Sequence, residues 1–185
     1  MFKIFYSEKD TTLYQDVPYT NTGIDEVLQV GKRFSISGSL TNNLAYSRAM
    51  VKFDMTEVSA SLSKYSVSLD ACKFVLQLFT THAKNLAAPF TIDCKLVGQD
   101  WRNGTGYYND AVTDGASWAI PAVSWSLNST SGSMWISSSQ NIQVNGSSIY
   151  VSGSGTGGSW YYQPSAGGFN IDHFNQSFFQ QGGLS

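Results

Sequence analysis

The feature that most constrains this chain is the alternation across residues 47–55. Side chains on a β-strand point to opposite faces in turn, so Ala49, Val51, Phe53 and Met55 share one apolar face. Arg48, Lys52 and Asp54 point the other way, with Met50 among them. The expected element is a strand that lies on a core by its Ala49–Val51–Phe53–Met55 face, with the charged face wet or ion-paired. Arg48, Lys52 and Asp54 then read as a structural face and not as a catalytic cluster, because a charged strand face is seldom a site.

Composition agrees with many short strands. Charged residues make up only 13% of the 185, aromatics 14%, and Gly, Ser, Thr and Asn are abundant. Strands joined by small polar turns have this make-up, whereas long helices draw on Glu, Lys, Ala and Leu. The length suits one domain with a core of useful size. A net charge of −2 without a basic tract offers no electrostatic footprint for nucleic acid. The N-terminal stretch lacks the apolar run of a signal peptide, so no Sec export is expected, and no apolar run approaches the ~20 residues of a membrane helix. The sequons at Asn103, Asn128, Asn145 and Asn175 then read as by-products of Asn- and Ser-rich loops.

Along the chain, strands are expected at residues 2–6, 11–15, 27–30 and 34–37, with a Pro18–Gly23 loop between the second and third. Residues 56–66 form a Ser-rich crossover in which Thr56 caps one helical turn without a sustained helical period. Residues 69–79 are the longest apolar stretch, and their period-two phase from Cys72 onward predicts a buried strand paired with residues 90–97. In that hairpin Cys94 falls opposite Val75, so Cys72 and Cys94 are expected as reduced, buried thiols. With His82 and His173 they make no zinc spacing, and no metal or other cofactor is expected. Further short strands are read at residues 134–136, 142–144, 149–152 and 160–163, with the Gly/Ser tract 152–159 as a hairpin loop. The fold class is all-β, an antiparallel sandwich of jelly-roll type.

Residues 98–122 form a long aromatic, glycine-punctuated loop, and loops of that length are functional or held down by their own side chains. Trp101, Tyr107, Tyr108 and Trp118 are its candidate contact residues. Three roles compete for them: packing on the end of the sandwich, anchoring a protein interface, or stacking on a sugar ring. Asp93, Asp100, Asp110 and Asp114 are the only acid cluster near the loop, and each suits a turn-capping role. With no Gly-x-Ser-x-Gly, Cys/His or HExxH arrangement, the chain is not expected to be an enzyme.

Several stretches in order resemble the DNRLRE-type β-sandwich domain, which is also classed with carbohydrate-binding modules. They are Asp10-Thr11-Thr12-Leu13-Tyr14, Asn21-Thr22-Gly23, Leu28-Gln29-Val30-Gly31, the strand from Arg48 to Met55, the Trp101–Gly106 segment and Gly115-Ala116-Ser117-Trp118. In texture the chain is similar to virion structural proteins of tailed phages, marine ones especially. The resemblance implies a non-enzymatic virion part at the neck, tail, fibre or capsid exterior. Such a part is homo-oligomeric, partnered by other virion proteins and assembled in the host cytoplasm; the alternative it implies is a glycan-binding module. The family's usual last strand pair is missing after Gly168–Phe169. Residues 1–174 are therefore read as one sandwich domain and 175–185 as a tail, whose Phe178, Phe179 and Leu184 are candidate subunit contacts.

Overall fold

The structure, a computed structural model, describes residues 2–35, 43–79, 81, 90–92, 95–108, 110, 114–122, 134–137, 140–144, 147–161 and 176–178. The chain is β-rich, with antiparallel pairing throughout the described strands. The main sheet joins β1 (Ser7–Tyr14), β2 (Gly31–Ser35) and β3 (Asn43–Phe53) in the order β1-β3-β2. A second three-stranded sheet, β5-β6-β7, is formed by Gln140–Val144, Ser147–Gly153 and Ser159–Tyr161. A third pairs β4 (Phe90–Ile92) with β8 (Gln176–Phe178).

β1 owes its conformation to β-branched and aromatic residues, and Thr11, Thr12, Leu13 and Tyr14 are all buried. The register shifts between Ser7 and Lys9, so Glu8 is the extra residue of a bulge. Lys9 then faces Lys52 directly across the ladder, which is a repulsive pairing. Each lysine has its own acid: Lys9 lies 3.7 Å from Asp100, and Lys52 3.9 Å from Glu8.

The register Thr11↔Met50 and Leu13↔Arg48 decides which face of β3 is inside. Leu13 and Met50 enter one core cluster with Trp101, Ala116, Trp118 and Trp135. This corrects the expected orientation. The face that carries Arg48 and Met50 covers the core, while Ala49, Val51 and Phe53 are only partly buried and Met55 is exposed. Three buried indoles supply much of the driving force, about 4–6 kcal/mol each as an upper bound from area.

Residues 55–64 also differ from expectation, forming α1 (Met55–Lys64) in place of a crossover. Asp54 leaves β3 in extended conformation and caps the helix, its Oδ1 accepting from Thr56 N at 2.8 Å. Glu57 in the first turn and Lys64 in the last complement the helix dipole. Only Val58 is buried, so the missing apolar period reflects a helix lying at the surface. Residues 2–6, expected as a strand, form none; Lys3 Nζ ties them to Glu57 at 3.0 Å and Ser61 at 2.5 Å.

The apolar stretch 69–79 is not a buried strand. A 3-10 turn (Leu69–Ala71) breaks it, and residues 73–79 are exposed. Its expected partner is taken: β4 pairs instead with β8, placing Phe90 opposite Phe178. The proposed boundary at 174/175 is therefore crossed by a ladder within the chain. Residues 27–30 and 134–136 form no strand either, whereas the 152–159 tract does join two paired strands. Cys72 is a free thiol at intermediate burial, not fully buried; Cys94, His82 and His173 lie outside the described residues.

The hydrogen bond from the Thr56 amide holds the Asp54 carboxyl below its ordinary range. A depressed folded-state value means the cap's contribution is present above the unfolded carboxylate pKa and is lost as pH falls through the folded one. Asp54→Ala is expected to reduce the helical far-UV signal and the urea midpoint at neutral pH. That difference from wild type should close in acid, and Asp54→Asn should keep the cap while removing its acid dependence.

Candidate functional site

The aromatic loop and the Pro18–Gly23 loop meet in a single clasp, and Asn21 is its centre. Thr20 N donates to Val17 O at 3.0 Å, a turn that delivers Asn21 and Thr22 fully buried beside β1. The Asn21 amide nitrogen donates to Asn103 O at 2.7 Å and Ala116 O at 2.8 Å. Its oxygen accepts from Gly23 N at 3.1 Å and Gly106 N at 2.9 Å. Two donors and two lone pairs are all used, and the partners, two carbonyls and two amides, settle which atom is which. Thr22 performs the adjoining task. Its hydroxyl donates to Thr12 O at 2.8 Å and accepts from Thr12 N at 3.0 Å, covering the free edge of β1.

The glycines are where they are because backbones touch there. A side chain at Gly23 would overlap the Asn103 carbonyl, and Gly115 sits at φ +78° with Gly104 Cα 2.5 Å from where its Cβ would lie. Asn103 Nδ2 donates to Gly23 O at 2.6 Å, so the nitrogen of this sequon is already engaged. Asp114 closes the loop on itself, accepting from Thr105 N and Oγ1 at 3.0 Å each. Asp25 Oδ1 accepts from Tyr108 N at 3.3 Å, and the Tyr108 ring meets Tyr14 edge-on at 4.7 Å.

Two cations flank the clasp, each on an indole. Lys9 Nζ lies 4.5 Å from the Trp101 ring centre and also donates to the Trp101 carbonyl. The Arg48 guanidinium lies 4.8 Å from the Trp118 ring centre, and its Nη1 donates to Gly157 O at 2.5 Å. Gly157 N returns a bond to Trp118 O at 2.6 Å, which fastens the β6–β7 turn to the aromatic loop. Burial lowers the Arg48 pKa from its ordinary value, and Tyr46 acts in the opposite sense; a guanidinium stays charged regardless. Trp135 Nε1 donates to Ser117 O at 3.0 Å. Gln99 Oε1 accepts from Ile136 N and Ser159 Oγ, both at 3.1 Å, linking residues 134–137 to β7.

Of the four candidate contact residues, Trp101 and Trp118 are 4% and 7% exposed and belong to the core cluster. Packing is the role the geometry gives them, since a buried indole has no face left for a sugar or a partner. Tyr108 is half-buried, and Tyr107 alone is exposed, at 47%. The described acids have separate surroundings: Asp100 serves Lys9, Asp114 serves Thr105 and Asp110 is exposed, while Asp93 lies outside the described residues. Among the described residues no group of three or more His, Cys, Asp and Glu could hold a metal ion. Phe178 lies in a strand paired to the chain's own β4, and Phe179 and Leu184 lie outside the described residues. Sequence reasoning passed over Asn21 and Thr22 as clasp residues, gave Lys9 no role and placed Arg48 on a wet or ion-paired face. The readable signal was the Asn-x-Gly turn. The chain matches no family model, no curated protein and no solved structure.

Asn21→Ala would strand two amides and two carbonyls, each worth ~1–3 kcal/mol if left unsatisfied, and is expected to cost on the order of 3–5 kcal/mol after relaxation. Urea unfolding measures it. Asn21→Asp should also destabilise at pH 7, because a carboxylate oxygen would face two carbonyls, and should recover in part as acid protonates it. Arg48→Lys is expected to lose about 1 kcal/mol, since an ammonium keeps the charge but not the planar stack.

Proposed function

We propose that this chain is a non-enzymatic structural part of a tailed-phage virion. In this reading it is a single sandwich of jelly-roll type that works at the neck, tail, fibre or capsid exterior, by self-association and by docking to other virion proteins. One observation carries the reading. The stretches that resemble the DNRLRE-type domain are the ones that interlock here: β1, the Asn21–Gly23 turn, the Trp101–Gly106 segment and Gly115–Trp118. They interlock as packing elements. A resemblance carried by buried, mutually bonded residues speaks to scaffold, and fold alone does not specify chemistry.

The clasp supports a mechanical role. The hydrogen-bonding capacity of Asn21 and the faces of two indoles are spent inside the chain. A rigid part held this way presents its outer surface to partners. The glycan-binding alternative loses the two indoles on which it relied and keeps only Tyr107 exposed.

The decisive test is mass spectrometry of density-purified phage particles from the host that carries this coding sequence. The chain is expected in the particles at a fixed ratio to other virion proteins; recovery only from the soluble fraction would count against the proposal. A glycan array should show no binding by the wild-type chain. Binding that disappears in Tyr107→Ala, with an unchanged melting temperature, would reinstate the sugar-binding reading.

A further inference from the structure

Among the described residues, a continuous exposed apolar run lies outside the clasp, on residues 69–79. Val75 is 71% exposed and Phe79 80%, and Leu69, Phe74, Leu76 and Leu78 are exposed with them. Residues 73–79 form no described strand, and no backbone hydrogen bond joins them to another described residue. Residues 73–79 contain no Gly or Pro, and their one charge, Lys73, stands at the end. Natural edges are blunted by inward charges, prolines or bulges, and this stretch has none of them in its interior.

We propose that residues 73–79 are the surface on which two copies of this chain associate, by antiparallel strand pairing about Leu76. The proposal rests on the self-association reading above and names its site. Area supports it: weighted by their exposures, Phe74, Val75, Leu76, Leu78 and Phe79 offer on the order of 600 Å², at the lower end of the roughly 600–1,000 Å² per partner of a standard stable interface. It also stands at the top of the roughly 300–600 Å² that the largest apolar patch of a monomer covers.

The residue order selects a second copy as the occupant. An interface about a two-fold axis must be complementary to itself. Antiparallel pairing centred on Leu76 sets Leu76 against its counterpart, Phe74 against Leu78, Val75 against Gln77 and Lys73 against Phe79. Leu76, Phe74 and Leu78 then meet apolar partners on one face, Val75 and Gln77 stand opposite each other on the second, and each cation meets an aromatic ring with no like charge opposite. Parallel pairing would instead put Lys73 on Lys73. The backbone gains a ladder where it has none with the described residues.

Sedimentation and hydrogen exchange on the full chain test this. The wild type is expected to be a dimer or a multiple of one, with the amides of residues 73–79 slow to exchange in the assembly and fast on dilution. Leu76→Lys places two like charges at the axis and should weaken association about 100-fold while leaving a folded monomer. Leu76→Glu should do the same, and mixing the two variants should restore association.

A wild-type oligomer indifferent to both variants would overturn this site and leave the self-association reading standing. A wild type that is monomeric at every concentration would overturn both. Variants that unfold would show that the stretch is internal, and a monomer that floats with phosphatidylcholine vesicles would assign it to a lipid surface. Either result overturns the proposal.

Discussion

The carboxamide of Asn21 is the point on which the rest of the structure depends. Three of its four bonds join segments 82 to 95 residues apart in the chain, so none of those three forms until the long loop has returned to β1; the fourth, from Gly23 N, is local. Once buried it has no water to fall back on, and each partner left unmade would cost more than the bond contributes. This makes the clasp cooperative. The turn at Pro18–Gly23, the Trp101–Gly106 segment and Gly115–Trp118 are placed together or not at all.

The indoles follow from that constraint. With the loop held at Asn103 and Ala116, Trp101 and Trp118 have the core of Leu13 and Met50 beneath them. Lys9 and Arg48 lie over their rings, their stems on apolar surface and their charge on the π face. Arg48 then reaches the Gly157 carbonyl and brings in the β6–β7 turn. A residue that reads as surface charge in an alternating strand thus becomes the link between two sheets. What the interior uses in this way is withdrawn from recognition.

Several parts of this were legible from residues alone. The β-forming stretch at Thr11–Tyr14, the Asn-x-Gly turn, the antiparallel β character and the Gly/Ser hairpin loop all rest on local rules, and local rules held there. Others depended on partners that a pattern does not name. Residues 69–79 have a strand's period, but period does not supply a neighbour, and the neighbour went to Gln176–Phe178. Residues 55–64 lack a helical apolar stripe because their helix buries only Val58, and its decisive signal was the cap at Asp54.

From the sequence by itself came the two faces of β3 and the turn residues that permit close backbone approach. Tertiary structure alone decided which face of β3 is covered. Alternation sorts side chains into two sets but says nothing of which set meets an indole, and a long arginine beside a methionine suits an aromatic core as well as water does. The fate of Trp101 and Trp118 was settled at the same level. Composition marks aromatics as valuable, and only the clasp around Asn21 determines that their surface is spent on the fold.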